Sequence, residues 1–133
     1  HIDDLRSAKL SNFELFAQLM DNPRYRTNLF GDISAITQGN RMSVVATLLE
    51  RRDWHERLLN GSDYPLPGVV PLISLKALVD LKLLDAAAVE PLRRLRNINV
   101  LLYDFVLKRS LNKDGQGFAK PVFETAPFFS RPA

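Results

Sequence analysis

From Asn12 to Met20 the apolar side chains fall at Phe13, Leu15, Phe16, Leu19 and Met20, near the spacing of one helical face. Ser11 followed by Glu14 has the capping-box spacing that satisfies the free amides of a helix start. The pattern predicts a helix over about Asn12 to Met20, stopped at Asp21-Asn22-Pro23 because proline cannot continue it.

The rhythm then changes. Thr27-Asn28-Leu29-Phe30-Gly31-Asp32-Ile33-Ser34 reads as a short buried strand ending in small and polar residues. After a turn at Gln38-Gly39-Asn40, residues Met42, Val44, Val45, Leu48 and Leu49 return to helical spacing as far as Glu50. Arg57-Leu58-Leu59-Asn60-Gly61 is a second short strand, followed by a stretch too rich in proline and glycine to be regular, Gly61 to Gly68. Strand, helix and strand at this spacing predict a parallel βαβ unit, hence an α/β architecture.

From Ser74 onward helices dominate. Leu75, Leu78, Val79 and Leu83 form one stripe, Asp85 is placed to cap a helix through Leu95, and Leu101, Leu102, Phe105 and Val106 form another stripe. Asn112 to Gly117 reads as a loop, and Phe118, Val122, Phe123, Phe128 and Phe129 predict a tail that covers the body. Residues 1–112 are thus expected to form the domain segment and 113–133 the tail.

Composition narrows the function classes. With 46% hydrophobic and 25% charged residues and a mean hydropathy of −0.11, the chain has the make-up of a globular protein. Acids are interleaved with bases, as in Glu50-Arg51-Arg52-Asp53, so the net charge of +3 builds no single-sign field and a nucleic-acid partner is not expected. Lys76, Asp80, Lys82 and Asp104 interrupt the most apolar stretches, and none approaches the roughly 20 residues of a bilayer span. Cysteine is absent, which fits a cytoplasmic location and leaves only nitrogen and oxygen ligands for any metal. A chain that starts at His1 is read as a cleaved or truncated product.

The segment Leu58-Leu59-Asn60-Gly61-Ser62-Asp63-Tyr64-Pro65 carries the candidate chemistry. It resembles the eighth-strand signature of the amidohydrolase superfamily, in which an apolar strand delivers an Asp within a Gly-Ser-Asp or Gly-Thr-Asp step. In that frame Leu29 to Ser34 would be the seventh strand, and Asn99-Val100-Leu101-Leu102-Tyr103-Asp104-Phe105 resembles the closing helix after the last strand. The resemblance implies the C-terminal part of a (β/α)8 TIM barrel, with two short parallel strands and a mainly helical remainder. It further implies a metal-dependent hydrolase, with a divalent metal such as Zn or Mn in the complete protein. Asp63 would bind the metal and accept a proton from the attacking water. Gly-Ser-Asp is also a common turn sequence in which the carboxylate caps its own backbone; the strand and βαβ context turn the reading towards a ligand.

Asp32, Ser62 and Tyr64 are candidate pocket residues beside Asp63; Asp32 and Ser34 fit equally well as residues that begin a loop. His55 reads as a surface or helix-terminal residue, and no ligand role is assigned to His1. Arg93, Arg94, Arg96, Lys108 and Arg109 read as a solvated face. A whole barrel needs on the order of 250 residues, so this chain is expected to be inactive alone. Its expected partners are the rest of its barrel or a partner chain, and a small-molecule substrate, with a homo-oligomer as a further option. The alternative is a non-catalytic α/β interaction module.

Overall fold

The computed structural model describes residues 11–69 and 72–132. It divides into two compact units, residues 1–30 and 31–133. In the first, helix α1 spans Asn12–Asp21 and is followed by a 3-10 turn at Pro23–Tyr25. The capping box forms as expected: the Ser11 amide donates to Glu14 Oε2 at 2.6 Å, and the Glu14 amide donates to Ser11 Oγ at 3.2 Å.

The second unit is mixed α/β and mostly helical, with two short parallel strands in one sheet. β1 is Gly31–Asp32, α2 is Met42–Glu50 and β2 is Leu58–Leu59, with Gly31 opposite Leu58 and Asp32 opposite Leu59. The βαβ pattern is therefore present, but both strands are shorter than the hydrophobic runs suggest. At the front of β1, the amides of Asn28 and Leu29 both bond the Tyr25 carbonyl, at 3.2 and 2.9 Å, so that stretch is a turn. Past β1, the Ile33 amide still reaches the Leu59 carbonyl at 3.0 Å, and the Ser34 amide turns to the Asp32 side chain. Arg57 belongs to a 3-10 stretch, Arg52–Arg57, and not to β2. The described strands close no barrel.

The core of this unit lies where α2 and the 3-10 stretch cover the strand pair. Val45, Leu48, Leu49, Trp54, Ile33 and Leu58 are all buried. Helix α3 covers Leu75–Asp80 only, with Ser74 Oγ accepting from the Ala77 amide at 3.1 Å. It ends because Lys82 turns left-handed at φ 58°, letting the Lys82 and Leu83 amides bond the Val79 and Leu78 carbonyls, both at 2.9 Å. Leu83 is thereby buried from outside the helix that its spacing suggested.

Asp85 caps a 3-10 turn at Ala86–Ala88, which leads into α4 at Val89–Ile98. Asn99 then caps α5, Val100–Ser110, its Oδ1 accepting from the Leu102 amide at 2.9 Å. The expected loop after α5 is a tight antiparallel hairpin. β3 (Asn112–Lys113) pairs with β4 (Gln116–Gly117) around Asp114-Gly115, both at positive φ. Asp-Gly between paired positions is the turn chemistry that matches the twist of flanking strands.

The remaining residues return to the body. The Val122 carbonyl accepts from the Asn60 amide at 2.9 Å, and Val122 is fully buried. Phe118 packs on His55 and Phe123 on Phe105, with ring centroids 5.4 and 5.5 Å apart. Helix α6, Ala126–Phe129, leaves Phe129 exposed. No helix among the described residues is long and apolar enough to cross a membrane.

Candidate functional site

The two strands end side by side, so their last polar residues meet. Asp32 closes β1, where its Oδ1 accepts from the Ser34 amide at 2.7 Å and from the Ser34 hydroxyl. Gly61, just beyond β2, lies against this pair. A Cβ at Gly61 would collide with Ser34 Oγ and stand 3.0 Å from each Asp32 carboxylate oxygen. Glycine is required here for close approach.

Ser62 is half-buried, whereas Asp63 and Tyr64 are exposed. Asp63 adopts the left-handed conformation at φ 53°, and its carbonyl accepts from the Leu66 amide at 3.0 Å. Among the described residues, nothing hydrogen-bonds the Asp63 carboxylate. All four candidate residues thus lie within one neighbourhood at the strand ends, with Asp32 engaged by Ser34 and Asp63 presented to solvent.

Beneath them lies a feature that the residue pattern did not reveal. Lys108 of α5 is fully buried, and its ammonium donates to the Gly61 carbonyl at 2.6 Å and to Asp104 Oδ2 at 2.7 Å. Asp104 is 1% exposed, and its Oδ1 has no partner. Burial pushes the Asp104 carboxyl up, opposed by the hydrogen bond and charge of Lys108; the Asp32 and Asp63 carboxylates push it further up. Burial pushes the Lys108 ammonium down, while Asp104, Asp32 and Asp63 support its charge. Three carboxylates and one ammonium thus share one electrostatic neighbourhood.

Lys108 is therefore not part of a solvated face. The available signal was its i, i+4 relation to Asp104, on the side of α5 that also buries Tyr103, Leu107 and the following Leu111.

His55 is helix-terminal, in the last turn of the 3-10 stretch before β2, but it is buried and not a surface residue. Its Nδ1 accepts from the Ala119 amide at 3.1 Å, which leaves Nε2 to donate to the Leu48 carbonyl at 2.8 Å. Burial lowers its pKa, and the neutral ring joins α2 to the returning tail. Both nitrogens are occupied, so His55 is a structural histidine. His1 lies outside the described residues.

Two shallow clefts flank the hairpin, one lined by Glu50, Lys113 and Gln116, the other by Met42, Leu81 and Leu83; none of the four candidate residues lines either. Among the described residues no three His, Cys, Asp or Glu groups gather so as to hold a metal ion. The described residues therefore do not by themselves supply the donor set of a metal site. Comparison with models of protein families, with curated proteins and with solved structures finds no match for this chain.

Proposed function

We propose that this chain is the C-terminal part of a metal-dependent hydrolase of the amidohydrolase type, with Asp63 as its contributed carboxylate and Asp32, Ser62 and Tyr64 beside the substrate. The observation that carries the reading is an exposed Asp63 just beyond the C-terminal end of a parallel strand pair joined through a helix. That is the position from which α/β barrels present their catalytic groups. Asp63 there takes the proton of an attacking water, and Asp32, held by Ser34, bounds the pocket. A divalent ion, held by further ligands from the rest of the protein, would supply Lewis acidity.

Incomplete burial supports the same reading. Among the described residues no third strand pairs with these two strands of two residues each. On α5 the apolar Leu101, Leu102 and Phe105 stay exposed at 49%, 47% and 37%. The remainder of a barrel, in the same polypeptide or a partner chain, is the cover that this reading supplies.

The test uses the intact polypeptide that contains this sequence, purified without chelator. The reading expects stoichiometric Zn or Mn by elemental analysis, and a turnover lowered roughly 10²–10⁴-fold by Asp63→Asn. A metal-free protein, or a variant as active as the parent, rejects it in favour of an α/β interaction module.

A further inference from the structure

We infer that Lys108, paired with Asp104, is a positioning residue for Asp63: its ammonium grips the Gly61 carbonyl and fixes the left-handed turn that presents the Asp63 carboxylate. The inference rests on the reading of Asp63 as the functional carboxylate.

A buried ion pair is a weak source of stability, because desolvating two charges offsets most of their attraction, and apolar residues of similar size often serve as well. The neighbouring buried positions Leu107 and Leu111 show that this side of α5 accepts such residues. What apolar residues cannot supply is a charged donor to a backbone carbonyl, and Lys108 directs one bond there, 47 positions away in sequence.

The carbonyl it holds belongs to Gly61, where the place a side chain would take is already filled by Ser34 Oγ and the Asp32 carboxylate. The backbone is thus held between the end of β1 and α5, two residues before Asp63. Asp63 itself is left-handed, a conformation that aspartate tolerates better than most L-residues and that persists where the surroundings favour it. With no hydrogen bond to the Asp63 carboxylate, the restraint comes through the main chain. Asp104 in turn orients the ammonium from one helical turn away.

The test is the double variant Asp104→Leu/Lys108→Met in the intact polypeptide, which exchanges the pair for apolar groups of similar volume. The melting temperature is expected to stay close to that of the parent, while the Leu66 amide, which bonds the Asp63 carbonyl, exchanges at least about tenfold faster as the turn opens locally. Leu66 exchange at the parental rate overturns the inference.

Should the double variant not fold, Asp104→Asn decides. It keeps the Lys108 bond to Gly61, so Leu66 exchange is expected to hold within about twofold while the melting temperature falls. Acceleration in step with the lost stability overturns the positioning role. Parental turnover in Asp63→Asn would overturn the functional reading alone, and unaltered Leu66 exchange in the double variant would overturn the positioning role alone.

Discussion

Asp63 and Asp114 hold the same backbone conformation, φ 53° in each, in very different surroundings. Asp114 sits in a hairpin turn beside Gly115, itself at φ 81°, and the strands on either side pair with each other. The turn is local: the conformation follows from the Asp-Gly step and the twist of the strands. Asp63 has the Leu66 amide on its carbonyl but no pair of strands closing around its turn. Its turn is held by Gly61, which is itself gripped by Lys108 from α5 and crowded by Asp32 at the end of β1 and Ser34 beyond it. A left-handed aspartate thus rests on a local hairpin in one place, and in the other on a local bond joined by contacts from distant segments, the kind of setting where function is sought.

Chemistry should separate the two turns most strongly. In the intact polypeptide, Asp63→Asn is expected to lower turnover roughly 10²–10⁴-fold, while Asp114→Asn leaves it unchanged in the same steady-state assay. Equal effects at the two positions would dissolve the distinction.

Stability comes next. Lys108→Met leaves the Asp104 carboxylate buried without its partner, a loss of about 3–5 kcal/mol by urea denaturation. Near the hairpin, Lys113→Met removes only the solvent-facing pair with Glu50, and no resolvable change is expected in the same titration.

The two glycines sharpen the cause. Gly61→Ala should cost about 1–3 kcal/mol through collision with Ser34. The double variant Gly61→Ala/Ser34→Ala should recover part of that loss, since it removes the colliding oxygen. Gly115→Ala meets nothing within 4 Å, so its cost of about 1–2 kcal/mol comes from backbone strain at positive φ. No second substitution at a neighbour should relieve it.

The smallest effect concerns pH. In the folded state the His55 pKa lies below its ordinary 6.5, because burial opposes the charged ring. Below pH 6.5 the unfolded chain takes up a proton that the folded chain does not, so stability rises with pH in that window. The contribution is fully present above pH 6.5 and is lost as pH falls towards the folded-state value. His55→Gln should flatten the dependence of the melting temperature on pH below 6.5. An unaltered slope in that variant would place the sensitivity elsewhere.

Much of the fold was legible in the residue pattern because it depends on neighbours in sequence. The capping box at Ser11 and Glu14, the α2 stripe and the parallel sense of the strands follow from local spacing and short connections. The Asp114-Gly115 hairpin carried an equally local signal, although the segment reads as a loop when only its polarity is weighed. The strand lengths were not legible, since Tyr25 and Val122 decide them by taking up amides at their flanks. At the candidate site, Asp32, Ser62, Asp63 and Tyr64 stood out because they follow apolar runs. Asp104 and Lys108 did not, because a charged pair at i, i+4 on a helix ordinarily faces water.

What the chain alone determined is the order of the main helices and parallel strands and which carboxylates follow the strands, for these follow from periodicity, capping and short connections within a few residues. Tertiary structure decided that Lys108 lies inside the protein and bonds Gly61, and that His55 is neutral and buried. The physical reason is distance: a buried ammonium is stable only beside acceptors brought from other segments, and no local pattern records which segments will supply them.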